Sequence, residues 1–284
     1  MAFKDVNHQT TRTNYLKQLI AIYKNTPSLA IWRALEARAL DNIVFEPPTL
    51  DLACGTGHFA RILLGNTTIT GCDQDESAIK VAAEEKTLNF LSVADARCLP
   101  YPDSGFNSVL ANCALEHIPD VAKVMAEVAR VLKPMGLFAF TIPSEYFNDF
   151  LLLPRLYRIL GLHSREHKHI QWYNAVQQHH HIEPLAAWEK RLHIAGFKLA
   201  LHRYYMPIST ALLFSMWDLF AKWTIQNNRT GRRLHLQQLF LNRVPEYLLI
   251  QMLHCSIAYS CRGSKELKRG SGLLIVARKG KTFE

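Results

Sequence analysis

The sequence has no C-x-x-C pair. Its six cysteines, Cys54, Cys72, Cys98, Cys113, Cys255 and Cys261, are scattered, which argues against a zinc cluster or a thioredoxin-type motif. The N-terminal stretch MAFKDVNHQTTRTNY has no apolar signal core, so secretion is not expected. Together these absences favour a reducing cytoplasm. There is no internal repeat and no low-complexity tract. The one apolar stretch near membrane-spanning length, Met206–Ile225, is broken by Asp218 and Lys222. Each costs ~2.5–3.5 kcal/mol at mid-bilayer, so a transmembrane helix is rejected.

What is present is ordinary for a globular chain: 284 residues, 49% apolar and 20% charged. That composition excludes disorder, collagen and a disulfide scaffold, and the length suits one large α/β domain or two small ones. The net charge of +9 is unevenly placed. Residues 1–200 hold 20 basic and 20 acidic side chains, residues 201–284 hold 13 and 4. A basic surplus on one part of the chain attracts nucleic acid, lipid headgroups or an acidic substrate, or simply makes a soluble basic face.

Periodicity predicts helices over 14–24 and 28–40, the second carrying Leu29, Trp32, Leu35 and Ala39 at helical spacing. Strands then alternate with helices. Strands are expected at 49–53, 68–72, 90–94, 106–111 and 137–142, the last set up by a turn at Lys133–Gly136. Helices are expected at 58–64, 76–85 and 120–132. This alternation predicts βαβ units in a mostly parallel, Rossmann-like sheet flanked by helices. After Pro143 come an insertion of helix and loop (145–182), a helix at 184–195, a sixth strand at 198–205, and a helical insertion (206–262). A seventh strand at 272–278 has no crossover helix before it, so it is expected to enter antiparallel.

The most informative stretch is Leu50-Asp51-Leu52-Ala53-Cys54-Gly55-Thr56-Gly57-His58-Phe59-Ala60. It follows a strand and opens a helix, and its glycines allow a tight turn and close approach to a ligand. Gly55-x-Gly57-x-x-Ala60 by itself is a weak dinucleotide signal. Asp73, at the end of the second strand, can accept from two ribose hydroxyls, or cap the following helix. Asp51, four residues before Gly55, would repel a pyrophosphate and favour a ligand bearing an ammonium and a sulfonium, or serve as a buried structural acid.

At this point the sequence resembles the class I S-adenosylmethionine-dependent methyltransferases. Asp51–Gly57 is similar to their first motif and Asp73 to their ribose-binding acid. Ala94-Asp95-Ala96, the run Leu99–Asn107, Asn112–Ile118 and Arg130–Gly136 are similar to later motifs in the family's order. The resemblance covers roughly residues 47–143, with weaker support at 188–197 and 272–278. It departs at Asn107, where the family usually has Asp. It implies one methyltransferase domain over 1–284: a helical cap (1–46), a cofactor-binding core (47–143), and insertions at 144–182 and 206–270 that serve the substrate. It implies that Asp51 and the backbone of Ala53, Gly55 and Gly57 hold the methionine part of S-adenosylmethionine. Asp73 would hold the ribose, Gln74, Asp95 and Ala96 would lie at the adenine, and Asn112 would offer its carbonyl to the ammonium.

His117, just past the fourth strand, is the expected general base, since its ordinary pKa of ~6.5 suits proton removal near neutral pH; Glu116 is a weaker candidate. The histidines of the first insertion (His163, His167, His169, His179, His180, His181) are not expected to bind metal, because no Cys or carboxylate set accompanies them. In the second insertion, Ser215, Asp218, Lys222 and Gln226 form a narrow polar stripe beside a wide apolar arc. Arg229, Arg232, Arg233, Arg243, Arg262, Lys265, Lys268 and Arg269 lie nearby. The helix is expected to be core, a lid over a hydrophobic substrate, or an interfacial helix touching a membrane surface. The sequence favours methyl transfer to a small, hydrophobic or lipid-like acceptor. A nucleic-acid methyltransferase, a nicotinamide oxidoreductase and a non-catalytic cofactor-binding homologue are the alternatives.

Overall fold

In a computed structural model, the described residues are 15–23, 25–65, 67–222, 224–226, 233–260 and 267–280. The elements run α1 (Tyr15–Tyr23), α2 (Pro27–Leu40), β1 (Thr49–Leu52), α3 (His58–Leu64), β2 (Ile69–Asp73), α4 (Glu76–Glu84), β3 (Phe90–Val93) and β4 (Phe106–Asn112). After a single 3-10 turn at Leu115–His117 come α5 (Val121–Val131), β5 (Leu132–Pro143), α6 (Phe147–Phe150), α7 (Leu152–Ile159), α8 (His163–Val176), α9 (Leu185–Ile194) and β6 (Phe197–Tyr205). The chain continues with α10 (Ile208–Lys222), β7 (Thr224–Gln226), β8 (Arg233–His235), α11 (Leu236–Leu241), α12 (Glu246–Ser260) and β9 (Gly272–Lys279).

Seven strands form one sheet in the order β3-β2-β1-β4-β5-β9-β6. β1 to β5 are parallel; α3, α4 and α5 form the crossovers before β2, β3 and β5, and β4 follows β3 through a loop. β9 inserts antiparallel between β5 and β6, as the missing crossover predicts. Two faces are buried, so the strands read as continuous apolar runs. On β5 and β9, Phe138, Phe140, Leu273 and Ile275 enter one core with α5 and α9, while Ala139, Leu274 and Val276 enter the other with α2 and α10.

Two expectations need correction. Lys133–Gly136 is no turn ahead of β5 but part of the strand, where pairing jumps from Phe106↔Leu132 to Ser108↔Leu137 and the extra residues bulge out. The second insertion is not wholly helical, because β7 and β8 pair as a two-stranded ribbon. Of the alternatives left open for α10, the structure shows packing. Ser215 is buried and accepts from the Leu152 amide at 3.0 Å, while Phe214 packs its ring 5.5 Å from Trp32 of α2. α10 is therefore a packing helix between α2 and α7. Arg229, Arg232, Arg262 and Lys265, and the side chain of Arg233, lie outside the described residues. Among the described residues no helix is long and apolar enough to cross a membrane.

α2 is buried on most of its sides rather than on one stripe. Trp32 is its hub, with ring contacts to Phe147, Tyr205 and Phe214 at 5.5–5.9 Å. These contacts tie the N-terminal segment to α6, β6 and α10, and so set it over the open ends of the central strands.

Candidate cofactor cavity at the carboxyl ends of the strands

The strand order reverses between β2-β1 and β4-β5, which opens a crevice at the carboxyl ends of β1 and β4. A cavity of about 490 Å³ lies there. It brings together Asp51, Ala53, Gly55, Asp73, Gln74, Asp95, Ala96, Asn112 and His117, residues spread over more than sixty positions of sequence. Four strand ends supply them, so the sequence spaces them by one strand and its connection each.

Gly57 is the exception: it does not line the cavity. Its φ of +74° starts α3, and a Cβ there would stand 2.6 Å from Thr87 Oγ1 and 2.7 Å from Leu88 Cγ. It lets the loop settle on the segment ahead of β3, while Gly55, also at positive φ, faces open space where a Cβ would meet nothing within 4 Å. Asp73 is not the cap of α4. That role belongs to Asp75, whose carboxylate accepts from the Ser77 and Ala78 amides. The Asp73 oxygens instead accept from Gly55 N at 2.8 Å and Asp75 N at 2.9 Å, which fixes the carboxylate in the loop and leaves lone pairs for hydroxyl donors. Asp95 is clasped by Arg97, with Nη2 at 2.6 Å, and both line the cavity.

Asp51 is 3% exposed and has no hydrogen bond to its carboxylate among the described residues. Burial pushes its pKa up to about 8, Arg33 pulls it down, and Asp73 adds to the rise. A buried carboxylate without a close cation is costly. Among the described residues Asp51 makes no ion pair, and Arg33 acts on it only through space.

Sequence reasoning missed the wall contributed by α2. Arg33 lines the cavity and pairs with Glu36 at 2.8 Å; its guanidinium reaches the Asn112 carbonyl at 3.5 Å. Glu36 is fully buried. It accepts from Trp32 Nε1 (2.8 Å), Cys113 Sγ (2.6 Å) and Tyr205 Oη (3.1 Å). The Asn112 amide nitrogen donates to Thr141 Oγ1 (3.0 Å) and Glu36 Oε2 (3.2 Å), and its oxygen accepts from Arg33. The only signal in the sequence was a charged pair three apart, Arg33 and Glu36, in a mostly apolar helix.

On the opposite side, His117 Nδ1 lies 3.3 Å from the Gln178 carbonyl, which makes Nδ1 the donor and leaves the Nε2 lone pair free. Burial lowers its pKa, with two backbone hydrogen bonds opposing. Glu116 is buried, stands 3.7 Å from His117 Nε2, and leaves Oε2 without a partner; burial raises its pKa to about 8. Its carbonyl accepts from the His180 amide at 2.7 Å, so the 177–182 loop is laced to the end of β4. His179, its pKa lowered to about 4 chiefly by burial, packs 5.3 Å from the His117 ring. A shallow depression lined by Gln171, Asn174, Gln178, His179 and His180 adjoins the cavity at Gln178. His163 and His167 are exposed on α8, and among the described residues no group of three or more His, Cys, Asp and Glu side chains could hold a metal ion.

Comparison with known proteins agrees with this geometry. The methyltransferase-domain family matches residues 50–140. A ubiquinone/menaquinone biosynthesis C-methyltransferase of Rickettsia akari is 31% identical over 138 residues, 42% of this chain and 54% of that protein. A 27-O-demethylrifamycin SV methyltransferase of Amycolatopsis mediterranei is 36% identical over 113 residues, 37% of this chain and 39% of that protein. The chain thus spans about half, or less, of the curated relatives it matches. Among solved structures, a SAM-dependent methyltransferase from Thermotoga maritima shares the fold at TM-score 0.53 and 15% identity, covering 93% of this chain and 98% of that one. The [4+2]-cyclase SpnF shares it at TM-score 0.52 and 17% identity, over 90% and 82%. Residues 50–140 of this chain are thus similar to the methyltransferase-domain family, and the chain as a whole shares the fold of the solved methyltransferases.

Proposed function

We propose that the protein transfers a methyl group from S-adenosylmethionine to a small, hydrophobic or lipid-like acceptor. The observation that carries the donor side is the buried, cation-seeking Asp51 beside the open concavity at Gly55, with Asp73 and Asp95 held at the next two strand ends. These residues fit the donor: Asp51 and the Ala53–Gly55 backbone would hold its ammonium end, Arg33 its carboxylate, Asp73 its ribose, and Gln74, Asp95 and Ala96 its adenine. A nicotinamide dinucleotide would set its pyrophosphate against Asp51 and is disfavoured.

S-adenosylmethionine supplies an activated methyl group for in-line displacement. The chain's own residues align the acceptor, exclude water and take a proton where the acceptor carries one. His117 would take that proton, since its ring lines the cavity, its Nδ1 donates to the Gln178 carbonyl, and burial lowers its pKa. Residues 47–143 hold the donor. The first insertion closes the acceptor side through Gln178 and His179, and the second braces α2. The hydrophobic acceptor class is supported by the quinone and rifamycin substrates named for the two relatives.

Thermal unfolding tests the donor. S-adenosylmethionine or S-adenosylhomocysteine at about 100 times its dissociation constant should add ~2.7 kcal/mol, a rise of several degrees, while NAD should add nothing. A response to NAD alone would replace this reading with an oxidoreductase.

The His117 assignment has its own signature. In the free protein, NMR titration should find this imidazole below the ordinary ~6.5, with Arg33, His179 and His180 facing it and Glu116 beside it. Turnover should fall as pH drops through that value, because the base becomes protonated. His117→Asn should lower kcat about 10²–10⁴-fold and remove that acid limb while leaving S-adenosylhomocysteine affinity unchanged. An unaltered pH profile would dismiss it as the base.

A further inference from the structure

We infer that the α7–α8 hairpin is a docking surface for an anionic lipid bilayer. Its turn exposes four aliphatic side chains within seven residues: Leu156, Ile159, Leu160 and Leu162 are 44, 72, 60 and 37% exposed. Leu156, Ile159 and Leu160 fall on one helical face by their spacing. The opposite side of this segment is anchored: Leu151 and Pro154 are buried, the Leu152 amide bonds to Ser215 of α10, and Arg158 bonds Asp149 at 2.6 Å and Glu166 of α8 at 2.7 Å. The aliphatic tip is therefore held out by a fixed hairpin.

Charge complementarity selects the occupant. Residues 151–176 contain four cations, Arg155, Arg158, Arg165 and Lys168, and one acid, Glu166. Glu166 is spent on Arg158, and Arg155, Arg165 and Lys168 are exposed with no ionic partner among the described residues. On α8, Arg165, Lys168, Trp172 and Val176 recur at helical spacing, and Trp172 and Val176 are 47 and 55% exposed. Aliphatic side chains at a tip, cations around them and a tryptophan at the margin match the layers of a bilayer interface: acyl boundary, anionic headgroups, and the amphipathic zone between. A folded protein partner would not require the three cations to be free.

The placement serves the cavity. α8 has 14 residues, so it is about 21 Å long, and its far end leads into Gln178 and His179 at the cavity rim. A tip seated in the interface holds the acceptor entrance within about one helix length of the membrane. This surface is distinct from the 206–262 segment singled out by the sequence, where α10 is occupied by packing.

The test is co-sedimentation of the full chain with vesicles of phosphatidylcholine alone and of phosphatidylcholine with phosphatidylglycerol. It reads binding, so it is independent of methyl transfer. Wild type should pellet with the anionic vesicles and be released by salt. The exposed triple variant R155E/R165E/K168E should bind at least about 100-fold more weakly, on roughly fivefold per cation removed. I159D/L160D should lose binding at least about 10-fold. Both variants should keep the wild-type thermal shift with S-adenosylhomocysteine, which shows that they fold. Wild type that stays in the supernatant overturns the inference. So does either variant that pellets as wild type does, since loss in the charge variant alone would describe adsorption without insertion.

Discussion

Asp51→Asn should make the free protein more stable and weaken its binding of S-adenosylhomocysteine at least about 30-fold. The sign follows from burial. The folded-state pKa of Asp51 is raised to about 8, above an ordinary carboxylate near ~3.9. A raised carboxylate helps the fold only while it is protonated. Below the unfolded pKa Asp51 is neutral in both states and costs nothing; between the two values the unfolded chain ionises and the folded one does not, so stability falls as pH rises, and the loss is complete above about 8. At neutral pH an isosteric amide removes that loss, worth about 2–4 kcal/mol. For a chain of this size the melting temperature of the free variant should rise by roughly 5 °C.

Binding moves the other way. Removing one partner of a buried charge pair costs about 2–5 kcal/mol, or 30-fold and upward in affinity. Calorimetric titration with S-adenosylhomocysteine should show that loss in the variant. In wild type, affinity should climb with pH through about 8, because Asp51 must lose its proton to meet the ammonium. Equal affinity in Asp51→Asn would remove Asp51 from the site. This is the familiar trade in which a binding group is kept at the expense of the empty fold.

Glu36→Ala should destabilise the protein by about 3–5 kcal/mol, lowering the melting temperature by roughly 10 °C. The change strands Arg33 without its ion-pair partner and removes the acceptor used by Trp32, Cys113 and Tyr205. Two of those donors lie 77 and 169 residues away, so the loss loosens α2 from β4 and β6 together. Urea unfolding measures it. Replacing Arg33 and Glu36 together by Met should recover much of the stability, since the penalty belongs to the uncompensated charge and not to the absence of the pair. A single variant as stable as wild type would mean that Glu36 is not holding this wall.

The central strands and the residues at their carboxyl ends were legible because their signals are local. Apolar runs of strand length alternate with helical periods, and Asp51, Gly55, Asp73 and Asp95 each stand at or just past a strand, where the fold sends its ligands. Even the reversed direction of β9 could be expected from the lack of a crossover helix. Gly57 shows the limit of that reasoning. Its place in a glycine loop suggested ligand contact, yet its backbone conformation serves the close approach of Thr87 and Leu88. The α10 stripe was visible as a pattern, but its periodicity is the same whether Ser215 meets solvent or the start of α7.

The sequence by itself determined the parallel sheet and the glycine loop at its carboxyl end, because each depends on residues a few positions apart whose chemistry suffices. Only the tertiary structure decided how the cavity is walled. Arg33 and Glu36 acquire their roles from Asn112, Cys113 and Tyr205, and His117 from the Gln178 carbonyl. Such long-range pairings leave no period in the chain. They arise because a buried charge must find every partner it needs from whatever elements the packing of α2, α8 and β6 brings within reach.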